Sequence, residues 1–351
     1  MAATYYPWGV SGKGGKHLWK LLISITLAVV LFAWFLWQAP LAQVGQSLLQ
    51  ARLGLVLASL AVALVTYTVR ALRWGLILRP VGRADAASLI GCTAAGFATS
   101  AVLPARAGEI VRPLLLTARC GLPAAATLAS ILTERLLDGA SVLILFAVGV
   151  ALAGSTLSPG SITALHDAAA LTTVGLAIAI AVVVFLLRHR SATVSRLARL
   201  APHRFRGRAE SFLQHLLDGL EVLRSPLRLA EIALWSFGLW LIIGLQVVLL
   251  AWAFGIPMNL GQAFAVIAVS VVGLAVPTPA GVGGFHAAIQ FGLVHFLAVD
   301  PATATAFALV HHAICFFPIT AVGLAYMGGV GISLRRVRAL EGEPGAQPEA
   351  R

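Results

Sequence analysis

The chain has 351 residues, of which 59% are hydrophobic and only 11% charged. Soluble domains carry about a quarter charged residues, so a soluble fold is excluded and an all-α polytopic membrane protein is expected. The formal charge of +12 does not signal nucleic acid, because most basic residues lie between or beside hydrophobic stretches, where membrane topology places them.

Arginine outnumbers lysine 22 to 3 and alanine is abundant, which fits a GC-rich bacterial genome. Cys92, Cys120 and Cys315 are odd in number and scattered through apolar sequence. They are expected to be small buried residues, not a disulfide framework or a zinc site.

Residues 1–17 read as a basic cytoplasmic tail. Lys13, Lys16 and Lys20 precede an apolar run over about 21–37. That run is longer than a signal-peptide core of about 7–15 residues, so it is expected to be a retained first span. "SGKGGK" lacks the spacing of a phosphate loop.

Six stretches, roughly 18–37, 53–78, 124–153, 169–187, 230–254 and 303–328, are long enough to cross ~30 Å of hydrocarbon. Two more, about 86–118 and 262–298, are apolar but interrupted by Pro and Gly. Residues 38–51, 154–167 and 255–261 contain no Lys or Arg and read as outside loops. Arg79 with Arg83, the nine arginines from Arg188 to Arg228, and "RRVR" at 335–338 read as inside, which places both termini in the cytoplasm. Each interrupted stretch must then leave and return on one side, so two re-entrant hairpins are expected, dipping in from opposite faces.

Span, hairpin, span over 53–153 is repeated upside down over 230–328 within a membrane domain of 18–335. At the tips "LPARAGEI" aligns with "VPTPAGVG", Pro104 falling on Pro277 and Gly108 on Gly281. Inverted repeats with paired Gly/Pro interruptions point to a transporter with its site at the repeat interface. The loop 188–228 carries Phe212, Leu216, Leu220 and Leu223 at helical spacing and reads as an amphipathic helix on the cytoplasmic leaflet. Residues 336–351 read as a disordered tail.

Non-helical backbone is tolerated at membrane depth only inside protein or beside water, so Pro104 and Gly108 predict a sheltered polar pocket. Arg106, Glu109 and Arg112 recur every three residues, and Pro113 disfavours helical geometry at Arg112, so the second half-helix is expected to restart there. Exposed N–H groups at a helix start favour an anion, and two guanidinium groups add phosphate recognition. The competing reading pairs Arg106 with Glu109 and leaves Arg112 over. Arg70 and Arg73 either snorkel to the interface or reach the same cavity. Glu134 and Asp138, four apart, share one helical face, and Arg135 reaches Asp138 at i+3, as a structural or a functional ion cluster.

The second hairpin exposes backbone through Pro277, Pro279, Gly281, Gly283 and Gly284 without fixed charge. His286 follows, with Gln290 four residues later, as a packing residue or a titratable partner; His311 and His312 carry no assignment. No nucleophile elbow, zincin helix, kinase set or Cys–His zinc spacing is present, so neither enzyme activity nor a metal or cofactor is expected.

"RALRW" at 70–74, "LPARAGEIVRP" at 103–113, "ERLLD" at 134–138 and "PTPAGVGGF" at 277–285 resemble the flippase-like membrane domain of lysylphosphatidylglycerol synthases and stand-alone relatives associated with hopanoid and glycolipid pathways. The resemblance covers about 18–335. It implies a bacterial inner-membrane protein that moves an aminoacylated or other anionic lipid between leaflets. The synthases' soluble aminoacyl-transferase domain has no counterpart in these residues, so lipid aminoacylation is not expected of them. Many relatives carry Glu where this chain has His286, which leaves proton coupling open.

The expected function is therefore translocation of a phospholipid, aminoacylated lipid or isoprenoid phosphate. Arg106 and Arg112 would hold the phosphate while Glu109 orients Arg106. The alternatives are transport of a small soluble anion, or a non-catalytic membrane accessory to lipid glycosylation. A homo-oligomer or a lipid-synthesis enzyme stays open as partner.

Overall fold

The computed structural model describes residues 15–37, 39–103, 107–153, 159–274, 276 and 278–330. Among them there is no strand. Six helices have membrane-crossing length: α1 (Gly15–Trp37), α3 (Leu53–Leu78), α6 (Ala124–Ala153), α7 (Pro159–Arg188), α10 (Pro226–Ala253) and α13 (Pro301–Gly329). Four to six candidate spans satisfy length and apolarity together, α3, α10 and α13 among them. The chain is a multi-pass membrane protein.

Both interrupted stretches are broken helices. The first is α4 (Ala86–Val102) followed by α5 (Gly108–Cys120), and the second is α11 (Leu260–Gly273) followed by α12 (Gly284–Leu297). At 17, 13, 14 and 14 residues, these helices are only about 20–26 Å long, short of the ~30 Å hydrocarbon core. The stretch Pro279–Leu297 is apolar enough to cross. However, φ is positive at Ala280 (53°), Gly281 (69°) and Gly283 (85°), so the continuous helix starts only at Gly284.

Local chemistry sets these boundaries. Asp85 caps α4 by accepting from the Ser88 amide at 2.8 Å, and Gly121, in the left-handed region, ends α5. Asn259 and Gln262 form a reciprocal capping box at the start of α11. Within each hairpin glycine meets glycine. A Cβ on Gly108 would overlap the Gly96 carbonyl, and one on Gly284 would overlap the Gly273 carbonyl.

Several sequence expectations change here. Helix α5 begins at Gly108 and runs through Pro113, so Arg112 is helical and the half-helix does not restart at it. Gly284, not Gly281, occupies the position in the second hairpin that Gly108 has in the first. Residues 41–50, read as loop, form α2 (Leu41–Gln50), whose Val44 is buried against α13. The expected loop 154–167 is helical from Pro159.

The arginine-rich loop folds into α8 (Arg190–Arg199), which turns 92° off α7, and α9 (Arg206–Asp218). Leu217 and Leu220 are buried against Ala129, Leu136, Val183 and Leu187, and Gly219 touches the Ala126 carbonyl. Its apolar stripe therefore docks on α6 and α7, while Phe212 stays exposed. Pro104, Arg106 and Pro277, residues 1–14 of the expected N-terminal tail and the expected C-terminal tail lie outside the described residues, while α1 takes in residues 15–17.

Helices α3 and α10 pack along each other. Likewise α4 lies on α13 and α6 on α11. Gly323 makes the first pair a backbone-to-backbone approach, since a Cβ there would strike the Ala94 carbonyl. On the surface, Arg79 and Glu231 pair at 3.0 Å with both side chains about half exposed. Glu231→Gln should change stability by less than about 1 kcal/mol, read as thermal unfolding in detergent; a larger loss would mark the pair as structural.

Candidate functional site

Sequence and topology bring four arginines and three carboxylates together where α3, α5, α6 and α10 meet. Asp138 is the hub. It accepts from Arg73 Nη1 at 2.6 Å, Arg70 Nη1 at 3.2 Å, Arg135 Nη1 at 3.4 Å and the Trp240 indole N–H at 3.2 Å. Glu134, one turn earlier, accepts from Arg112 Nη1 at 3.1 and 3.2 Å and from Arg70 and Arg135 at 3.5 and 3.4 Å. Arg73 Nη1 also donates to Ser236 at 2.9 Å. Arg135 Nε lies 3.5 Å from Glu109.

The arginines are held from behind by apolar and aromatic groups. Arg112 lies over the Trp74 ring at 3.9 Å, and the Trp74 N–H donates to Ser130 at 2.8 Å. Arg73, Trp74 and Glu134 have no exposure at all, and Arg112 and Asp138 have 5% each. Buried charges at such depth are tolerated only when paired. Among the described residues four guanidinium groups face three carboxylates, a surplus of one positive charge. Arg73 Nε and Nη2 and Arg112 Nε and Nη2 are buried without a hydrogen-bond acceptor.

Two expectations are corrected. Arg73 does not snorkel; it is the most enclosed cation of the cluster, because Asp138 and Ser236 meet it inside the bundle. Arg112 is not left over, since Glu134 on the facing helix takes it. Glu109 reaches Arg135, while the pairing expected between Glu109 and Arg106 lies outside the described residues. Trp74, Ser236 and Trp240 were missed. No spacing rule links Asp138 to a tryptophan 102 residues later; an indole on an otherwise apolar span was the available hint.

The second hairpin meets a neutral polar group instead. His286 is not a lone histidine: its ring lies 4.4 Å from that of His312, flanked by Phe32 and Phe35. His286 Nδ1 accepts from the Gly283 amide at 3.3 Å, at the start of α12. His312 Nε2 faces the Ala280 carbonyl at 3.0 Å, and His311 Nε2 faces Gln246 Oε1 at 3.2 Å. A carbonyl oxygen only accepts, so both rings must carry their proton on Nε2. Gln246 in turn donates to Ser59 at 2.8 Å. Gln290 does not join His286; it donates to Thr305 at 2.8 Å.

A cavity of about 570 Å³ opens at the far ends of α10 to α13, lined by Gly255, Gln262, His295 and Asp300. It touches none of the arginine cluster, and Gln262 and Asp300 are engaged in capping their own helices. The candidate site is therefore the arginine cluster. Among the described residues no set of three or more His, Cys, Asp or Glu is placed to hold a metal ion.

A family model described as the lysylphosphatidylglycerol synthase TM region matches residues 19–323, nearly the whole span from α1 to α13. The chain belongs to this family. Among curated proteins it is similar to glycosyltransferase AglD of Haloferax volcanii, 27% identical over 311 residues, covering 80% of this chain and 48% of the relative. The chain thus spans about half the length of that relative. No solved structure matches it. The family match includes the α3, α5 and α6 residues of the arginine cluster and both hairpins of this lysylphosphatidylglycerol synthase membrane region.

Proposed function

We propose that the chain carries an anionic lipid between the leaflets of a bacterial inner membrane, with the lipid's phosphate received by the arginine cluster and its tails left in the bilayer. The observation that carries this reading is the surplus cation with buried guanidinium N–H groups on Arg73 and Arg112 that lack acceptors. A phosphate oxygen is the acceptor such planar donors fit. The arginine-rich end, with α8 and α9, is placed in the cytoplasm by the positive-inside rule, and both termini with it.

The inverted repeat belongs to this proposal, with α3 to α6 as one half and α10 to α13 as the other. It is supported by helix pairings that fall into mated sets. Helix α4 on α13 is matched by α6 on α11, α4 on α5 by α11 on α12, and α3 on α10 is its own mate. Rocking of one half against the other would expose the cluster to each side in turn. Among the described residues the polar groups at the cluster are Arg, Asp, Glu, Ser and Trp, with no metal-holding set, and we infer a non-catalytic role, driven passively or by an ion.

The test is reconstitution into liposomes with headgroup-labelled anionic phospholipid and an external quencher. Wild type should expose inner-leaflet label faster than empty vesicles. The double variant Arg112→Gln, Glu134→Gln removes both charges of one pair and leaves no lone ion buried. It should slow exposure by about tenfold or more, the worth of a charge-assisted hydrogen bond, without loss of folded protein. Equal rates for the folded double variant and wild type would reject the site.

A second reading is favoured by the name of the Haloferax relative, a glycosyltransferase: a membrane partner that presents lipid to a glycosylation enzyme. It predicts lipid binding without exchange between leaflets. A soluble-anion transporter predicts uptake of phosphate into the same vesicles.

A further inference from the structure

The two hairpins are covered unequally. Helix α1 closes the flank of the second: Gly283 abuts the backbone of Leu31 and Phe32, and Phe32 and Phe35 lie on His286. The corresponding flank of the first hairpin, where the start of α5 meets α6, has no such cover among the described residues. Ile110 on α5 and Leu132 on α6 are each 46% exposed. Between them lie Glu109 and Arg135, their side chains 37% and 40% exposed.

Arg135 lies about 16 Å along α6 from Ala124, at roughly 1.5 Å per residue, next to Leu136, which packs in one cluster with Leu217 and Leu220. A part-exposed charge on a membrane helix is stable only facing water or a headgroup, not hydrocarbon. Of the four arginines, Arg135 is the most exposed, 40% against 12% for Arg70, and it joins surface to interior. Its Nε meets Glu109 at the surface, while Nη1 and Nη2 reach buried Asp138 and Glu134 at 3.4 Å. Arg73 and Arg112 sit behind it, almost fully enclosed.

We propose that the crevice between α5 and α6 is the lateral portal through which the anionic lipid reaches the cluster. This deepens the reading above and rests on it. Arg135 makes the first contact with the lipid phosphate and exchanges Glu109 for it. The tails stay outside, along Ile110 and Leu132. The occupant is a membrane lipid rather than a free anion, because the mouth pairs one cation with two apolar rims that a soluble ion would not use. The phosphate then has Arg70 and the buried N–H groups of Arg112 next in line, so Arg135 is a selectivity residue at the threshold.

The test uses full-length protein in vesicles of anionic phospholipid. Benzoylphenylalanine replaces Leu132 at the rim or, as control, Val322, which is 49% exposed on α13. Photolysis should capture labelled anionic lipid more strongly at position 132 than at 322. Arg135→Gln should lower capture at 132 by about tenfold and leave 322 unchanged, while Arg135→Lys restores part of it. Equal capture at both positions, or indifference to Arg135→Gln, would overturn the portal. So would loss of capture on adding millimolar inorganic phosphate, which would mark a soluble-anion site. Ile110→Trp should slow leaflet exchange without lowering thermal stability, and Val322→Trp should not. Capture at 132 is read even if wild type exchanges no lipid, so failure of transport and failure of the portal remain distinct results.

Discussion

Asp138→Ala should cost about 3–5 kcal/mol of stability, the usual penalty for stranding a buried charge. The carboxylate accepts from three arginines and one indole. Without it Arg73, with no exposure, keeps Ser236 as its hydrogen-bond acceptor and only the more distant Glu134, 3.6 Å away and shared with the other arginines, as counter-charge. Trp240 loses the acceptor of its N–H, a further unsatisfied group in a dry interior. Asp138→Asn should cost less, because the amide oxygen still accepts. Unfolding in mixed micelles with increasing denaturing detergent reads the difference. A loss under about 1 kcal/mol for the alanine variant would mean that water reaches Arg73 and the cluster is not sealed.

Gly108→Ala should be the most damaging single methyl group in the chain. The added Cβ would overlap the Gly96 carbonyl and the Ser100 hydroxyl. A carbonyl inside a helix cannot turn aside, so α5 must move off α4. That motion also breaks the bond from the Gly108 amide to Ser100, 3.1 Å in the structure. Overpacking of this kind costs about 3 kcal/mol at the upper end of its usual range. The shift would also draw Arg112, one turn along α5, away from Glu134. Lipid exchange should therefore be lost in whatever folded protein is recovered. Gly45→Ala is the control: nothing lies within 4 Å of the added atom, and the change should stabilise α2 by about 0.5–1 kcal/mol. Equal tolerance of both substitutions in a thermal-shift assay would show that the hairpin is not close-packed at Gly108.

Gly284→Ala tests the second hairpin in the same way, against the Gly273 carbonyl. Its neighbours there are neutral, so helix displacement should cost stability without stranding an ion.

Much of this architecture was legible beforehand. The spans follow from runs of apolar residues, and the two hairpins from Pro and Gly inside such runs. Hydrophobic length and helix-breaking chemistry act on a few neighbouring residues and can be read along the chain. The residues of the site were legible too, as charges where hydrocarbon should be: Arg70, Arg73, Glu109, Arg112, Glu134, Arg135 and Asp138. A lone histidine and a loop lying on lipid were also read, and both changed once helices were placed side by side. His286 gained His312 from another helix, and the arginine-rich loop found α6 to cover.

The sequence alone therefore determined that this is a helical membrane protein with two broken helical hairpins and charge inside apolar stretches, because those are properties of local stretches in a nonpolar solvent. Tertiary structure alone decided who neutralises whom: Arg112 with Glu134, Arg73 with Asp138 and Ser236, and Arg135 between surface and core. Ion pairing at low dielectric depends on approach to within a few ångströms. Residues 22, 65 and 163 positions apart acquire that approach only when their helices meet.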